Sequence, residues 1–383
     1  MRTRLVTAVI LLLVVGCFSS VIAPGAMAQV VYGQPTAAGT RVVFTDWTLE
    51  RDGFETSLSQ FYIPISGFVP LRDNFELTFY AANAGNTLEV DTISSDLNGL
   101  SDIRLKANHS FANDQLLLSV GLNLPTGKTE LAFEDEFLVL QTMSVNFLDI
   151  PMRRLGEGFG FSVLFGGATV LGRNLRGGGS IMYEYLGEYT PYESSVDYDP
   201  GDLISFNAGL DLEQGAWLWS VEGVYTIYTD DKYDGTKNFR QSPQTDLRFR
   251  SSRSSERSSL DLMLRYVARG DNKEYNQEGE EVDPFRLYGN EFHLHGSLTL
   301  ALSETFSAGP VLQFRSVGDN AVEGTSRTAI GDASVFGFGA GFGLDLSSSL
   351  MLDGAAKFFS GSADGGDSDL SGYQIAVGLT AAM

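Results

Sequence analysis

The sequence predicts an all-β protein: a transmembrane antiparallel up-and-down β-barrel of about 16 strands, with about 14 also compatible. Three observations predict it. Apolar and polar residues alternate along segment after segment, many of them about ten or more residues long. Soluble strands usually run to about five or six, whereas a tilted strand crossing a bilayer needs about nine to eleven. The connections alternate short and long, as they do where tight turns face one side of a membrane and larger loops the other. The chain also ends on a strand: Tyr373, Ile375, Val377, Leu379, Ala381 and Met383 share one face, and Gln374, Ala376, Gly378 and Thr380 the other.

Composition agrees. The chain has 383 residues, 43% of them hydrophobic and 11% aromatic, with 43 glycines. A mean hydropathy of −0.02 is too polar for a bundle of membrane helices but suits strands with one apolar and one polar side. The formal net charge of −22 disfavours nucleic acid, which selects basic surfaces. Beyond the leader, no stretch approaches the ~18 consecutive apolar residues of a membrane helix.

The elements follow in order. Residues 1–28 read as a cleaved signal peptide. Arg2 and Arg4 precede a short apolar run at 5–15, and Ala26-Met27-Ala28 places small residues before Gln29. The implied destination is the bacterial outer membrane. Val14-Val15-Gly16-Cys17 also fits a lipid-attachment box, so acylation at Cys17 is an alternative. Cleavage after Ala28 removes the only cysteine and two arginines but no acid, taking the charge from −22 to −24. No disulfide or thiolate site then remains. After a short segment at 29–40, the barrel is expected over 41–383, beginning with a weakly alternating strand at 41–50.

Strands in one direction are expected to start near Ser57, Ser101, Gly158, Asp202, Thr245, Glu291, Ser334 and Gly372. Their return partners are expected near Phe75, Gln115, Gly177, Ala216, Ser258, Thr305 and Leu350. In the strand from Ile204, Phe206, Ala208, Leu210 and Leu212 oppose Ser205, Asn207, Gly209 and Asp211; side chains alternate faces along a strand. Short turns fall at Arg72-Asp73-Asn74, Ala112-Asn113-Asp114, Gly172-Arg173-Asn174, Glu213-Gln214-Gly215 and Ser347-Ser348-Ser349. Long polar connections are expected at 86–99, 271–290 and 319–332. With both termini on the short-turn side, 126–157 becomes one long outer loop. Within it, Phe137, Leu140, Gln141, Ser144 and Phe147 fall near helical spacing, which predicts a short helix within 134–147. Two readings stay open: a helix capping the barrel, or a loop folded into the pore as a constriction carried by Phe137, Leu140 and Phe147.

Leu100-Ser101-Asp102-Ile103-Arg104-Leu105-Lys106 is followed by a tight turn and by Val120-Gly121-Leu122-Asn123-Leu124-Pro125-Thr126-Gly127-Lys128. This hairpin resembles a family of outer-membrane β-barrel transporters named for the meta-pathway of phenol degradation. The match covers 101–128; Ser101 stands where that family usually has Gly, and Met383 where barrels commonly end in Phe or Trp. The resemblance implies a barrel in the outer membrane and uptake of small, aromatic or apolar compounds.

Inward positions carry both charges: Arg104 and Lys106, Glu184 and Glu188, Glu222, then Asp261, Arg265 and Arg269, then Asp353 and Lys357. Opposed charges across a water-filled pore tune selectivity; the same charges also brace neighbouring strands as ion pairs. His293 and His295 share a face, but two ligands without a third do not make a metal site, and no metal or cofactor is expected. His109 lies on the face of Ile103, Leu105 and Phe111, which suits a membrane interface. Acidic clusters at 197–202 and 364–369 suit calcium or simply solvated loops. The basic, Ser-rich stretch 248–257 suits either anionic head groups or a plain polar turn.

The chain lacks the Gly-x-Ser-x-Gly, His-Glu-x-x-His and phosphate-loop patterns, and no enzyme is expected. The function that fits is passive passage of small solutes. A structural or surface-binding barrel with a closed lumen is the alternative, and an outer-membrane hydrolase with a site built from loops is the more remote one. Expected partners are membrane lipid and lipopolysaccharide, a small-molecule solute, and the barrel-assembly machinery through the last strand at 373–383.

Overall fold

A computed structural model describes residues 36–276, 278–282, 284–320 and 331–383. The expected signal peptide, Cys17 and 321–330 of the expected loop at 319–332 lie outside the described residues. In chain order the first strands are β1 (Ala37–Arg51), β2 (Phe54–Arg72), β3 (Phe75–Val90), β4 (Ile93–Leu100), β5 (Ile103–Phe111) and β6 (Leu116–Leu124). Helix α1 (Glu136–Met143) comes next. There follow β7 (Gly160–Val170), β8 (Leu175–Leu186), β9 (Tyr198–Asp199), β10 (Leu203–Gln214), β11 (Trp217–Tyr228), β12 (Asp231–Tyr233) and β13 (Thr236–Arg240). The chain continues through β14 (Gln244–Ser254), β15 (Ser258–Arg269), β16 (Lys273–Glu274), β17 (Glu291–Ala301) and β18 (Phe306–Val317). It closes with β19 (Ala333–Ser347), β20 (Leu350–Ala363) and β21 (Ser368–Ala382).

The long strands pair antiparallel in sequence order, and β21 pairs with β1 from Ala382↔Ala37 to Ser368↔Arg51. The sheet therefore closes, and no backbone edge is left to find a partner in lipid. β4 and β5 lie end to end against β3, so the two make one stave of a 16-strand barrel. Both described termini share one rim with short turns such as 73–74, 112–115 and 215–216, while the tight turns at 52–53, 91–92 and 364–367 lie on the other. The opposite rim carries the long connections, three of which assemble a small four-stranded sheet, β16-β13-β12-β9. Asp234 and Gly235 close its β12–β13 hairpin with positive φ at both residues (47° and 72°), the geometry a two-residue hairpin turn demands.

Outward positions form an apolar belt. Leu105, Val120, Phe165, Phe206, Leu210, Val221, Leu247, Leu312, Phe338, Phe358 and Ile375 are each at least 40% exposed. A soluble monomer rarely leaves so large an apolar surface in water; a belt around a closed barrel is a surface for hydrocarbon. At the short-turn end, aromatic rings gather on this face: His109 lies 6.2 Å from Phe75 and 6.0 Å from Phe111, and Trp217 stacks on Trp219 at 5.3 Å. No helix among the described residues is long and apolar enough to cross a membrane.

Three expectations are corrected. The barrel begins at Ala37 rather than Arg41; Ala37, Ala38 and Gly39 pair with both β2 and β21, but side chains so small carry no alternation signal. Residues 86–99 are not a long polar loop. They are the top of β3, a tight turn with Asp91 at φ 54°, and β4. The inward residues Asn86, Leu88 and Leu97 are buried under α1 rather than facing water, so the lipid-and-water rhythm is absent there. Residues 248–257 are mostly strand β14 rather than turn: Arg248 and Arg250 point inward to carboxylates, and only Arg253 reaches the outer face, 5.6 Å from the Trp217 ring.

Candidate functional site

The site is built where residues 125–159 leave the barrel rim, turn inward and return. Asp102 fixes the root. It sits in the break between β4 and β5, 3% exposed. Its Oδ1 accepts from the Gly127 N–H (2.8 Å), and its Oδ2 accepts from the Glu157 N–H (2.7 Å) and from Asn123 Nδ2 (2.9 Å). One carboxylate thus clamps the start and the end of the loop, and charge-assisted bonds of this kind are the stronger ones. Thr126 Oγ1 accepts from the Ile103 N–H at 2.9 Å. Gly127 passes so close to the returning chain that a Cβ there would stand 2.3 Å from the Leu155 carbonyl oxygen.

Helix α1 follows, packed on the inner face of β3 and β4. Its buried stripe is Val139 and Met143, both fully buried and one turn apart. Leu140 is half-buried beside them. Phe137 faces the loop-side rim, 5.6 Å from Phe133 and 5.3 Å from Tyr192. Phe147 lies beyond the helix, inside the barrel, where it joins Trp47, Val335 and Phe359. The three constriction candidates therefore sit at three depths along one inserted loop, and the expected stripe through Phe137, Leu140 and Phe147 is replaced by Val139–Met143.

Below α1 the chain is fastened across the lumen. Asn146 Nδ2 donates to Glu291 (2.9 Å), Arg315 donates to the Phe147 carbonyl (3.2 Å) and to Asp149 (2.8 Å), and Gln60 both donates to the Met152 carbonyl (2.7 Å) and accepts from its N–H (3.0 Å). Lys357 Nζ lies 3.6 Å from Asp149. Withdrawal from water pushes the Asp149 carboxyl up, but Arg315 and Lys357 outweigh it and hold the group well below the usual carboxylate range. Phe147, Leu148, Ile150, Met152 and Leu155 are buried against the wall made by the first and last strands.

The opposite wall is charged. Glu222 accepts from Asn207 (3.0 Å) and lies 3.4 Å from Arg248. Arg265 and Arg248 converge on Asp246 (2.8 and 2.6 Å), and Arg250 meets Asp261 (2.6 Å). Arg269 and His293 share Glu291 (2.7 and 2.9 Å). Arg104 pairs with Glu157 of the loop at 2.9 Å, and Asp353 pairs with Arg41. Lys106 and His295 face the lumen by alternation with exposed Leu105 and half-exposed Leu294. The structure thus gathers Arg269 and His293 on one carboxylate and sets Lys357 beside Arg315 on another. Glu222 and Arg265 join one network through Arg248 and Asp246, Asp261 pairs with Arg250 and Asp353 with Arg41, Arg104 pairs with Glu157 of the loop, and Lys106 and His295 are placed on the lumen face by alternation alone. No group of three metal-ligating side chains occurs among the described residues.

Sequence reasoning missed Asp102, Asp149, Arg153, Arg154 and Arg315. Asp102 had a signal, a lone acid between strand residues and facing a Pro-Thr-Gly; the others acquire their roles only when the loop turns inward.

No model of a protein family matches the chain, and no curated protein matches it. Among solved structures it is similar to Pseudomonas putida OprB at 7% identity (91% of this chain, 94% of that one, TM-score 0.48). It is similar to a Pseudomonas aeruginosa FadL homologue at 10% identity (91% and 90%, TM-score 0.44) and to the CymD monoaromatic hydrocarbon channel at 12% (91% and 89%, TM-score 0.41). At such identities the side chains lining one lumen say nothing about those lining another.

Proposed function

We propose that this chain is a passive channel for small solutes in a bacterial outer membrane, narrowed by residues 125–159. The observation that carries the reading is that the charged wall stays solvent-accessible with the loop in place. Asp261, Arg265 and Arg250 keep 24%, 28% and 42% of their side-chain surface although all three point inward. A lumen packed shut would bury them. Charges that alternate in sign along such a wall orient polar solutes and admit small ions of both signs.

The segment carrying the resemblance to the phenol meta-pathway transporters, 101–128, contains Asp102 and Gly127, so the likeness falls on the root of the constriction. On this reading small aromatic or apolar compounds are among the solutes. The last strand, β21, closes the ring against β1 and is the segment an assembly machinery would engage. Liposome swelling tests the function. Vesicles carrying the purified protein should swell in small sugars or amino acids and not in large oligosaccharides. Vesicles that stay impermeable to every solute would mark a closed structural barrel instead.

A further inference from the structure

Two cavities lie on either side of Arg154. The loop-side one, of about 150 Å³, is lined by Leu131, Phe137, Leu140, Tyr189, Tyr233 and Arg154, with Lys128, which pairs with Glu136, also at its wall. The second, of about 180 Å³, is lined by Arg153, Arg154, Arg104 and Glu157. Arg154 and Leu155 line both, so the two cavities are neighbours that share this arginine.

Arg154 is solvent-accessible. Among the described residues its hydrogen-bond partner is the Tyr189 hydroxyl, to which Nη1 donates at 2.6 Å. A guanidinium has five N–H donors in a fixed fork, so most are free for a ligand. The neighbouring charges are already engaged. Glu157 pairs with Arg104, Lys128 with Glu136, and Asp231 accepts from Tyr198 and the Gly201 N–H. Arg153, next along the chain, is exposed and among the described residues donates a single long bond, to the Asn146 carbonyl (3.4 Å). In a chain of net charge −22, these two adjacent arginines are a local positive spot on the inserted loop.

We propose that the loop-side cavity binds a small aromatic monocarboxylate, its ring among Leu131, Phe137, Leu140 and Tyr233 and its carboxylate on Arg154. This rests on the channel reading and names its solute class. Size fits: a cavity of ~150 Å³ holds about one benzene ring. The apolar side chains of Leu131, Phe137 and Leu140 give a bare inorganic anion nothing to pair with over that part of the wall. The open fork disfavours a neutral hydrocarbon, which would cover a charged group without pairing it, whereas a carboxylate takes two parallel N–H bonds. Arg153, which lines the second cavity, stands next in the chain to receive the anion.

The test is isothermal titration of the detergent-solubilised full-length mature protein with benzoate, with benzyl alcohol and with acetate at neutral pH, beside planar-bilayer recordings of the wild type in KCl. Benzoate should bind at least about tenfold more tightly than either control. Arg154→Gln should weaken benzoate binding by about tenfold or more, Arg154→Lys should retain part of it, and Phe137→Ala should weaken benzoate while leaving the acetate response unchanged. Heat-modifiable migration shows that each variant is folded. Benzoate binding no tighter than both controls, or unchanged in folded Arg154→Gln, overturns the site. Wild-type protein that binds benzoate but carries no KCl current overturns the channel reading and leaves the site standing.

Discussion

Asp102 draws together donors 21, 25 and 55 residues away along the chain, from Asn123, Gly127 and Glu157. Asp102→Ala leaves those donors unpaired at a buried position, so the root of the loop should lose about 2–3 kcal/mol. Amide exchange at 125–130 and 155–159 should accelerate while exchange in β10 to β15 stays as in the wild type. Asp149 makes the complementary case at the loop's inner end. Its folded pKa lies below the ordinary 3.8. The contribution of its ion pairs is therefore fully present above that ordinary value, and it is lost only as pH falls through the lower folded one. The difference in single-channel current between wild type and Asp149→Asn should accordingly stay constant from neutral pH to about 4. A difference already halved near pH 3.8 would mean that Asp149 titrates as a free carboxylate.

At the scale of elements, α1 is too short to be stable alone in water, and its seating against β3 and β4 depends on Val139 and Met143. Met143→Ala should cost the seat about 2–3 kcal/mol. Trypsin cleavage at exposed Arg153 and Arg154 should then become about tenfold faster or more, without loss of the barrel. The helix was legible in the sequence because its spacing broke the period of two. Its buried stripe was not, because Phe137 and Phe147 are larger and more conspicuous than Val139 and Met143, and burial inside a lumen is set by the facing wall rather than by the helix's own composition. The hairpin of β3 and β4 was illegible for a related reason. Asn86 and Gln60 look like loop or solvent-facing residues, yet they are fully buried and bonded to each other at 2.6 Å beneath the inserted chain.

For the whole molecule, closure made the fold readable. Strands that alternate around one ring repeat the same signal many times, so single errors such as Arg41 for Ala37 do not disturb the count. The lumen charges were equally legible as positions, since alternation assigns each to a face. Their partners were not, because pairs such as Arg250–Asp261 and Arg269–Glu291 depend on register between strands, and Arg315–Asp149 depends on a loop 166 residues distant along the chain. A closed ladder with an apolar belt also predicts that unheated protein in dodecyl sulfate migrates as a folded species and shifts on boiling; a single unshifted band would argue against the barrel.

The most direct measurement is single-channel conductance of the wild type beside a variant lacking 134–147, which removes α1 and the segment leading to Asp149. An open path narrowed by this loop predicts discrete steps in the wild type and larger, noisier steps in the variant. No steps from the wild type, or identical steps from both, would contradict it.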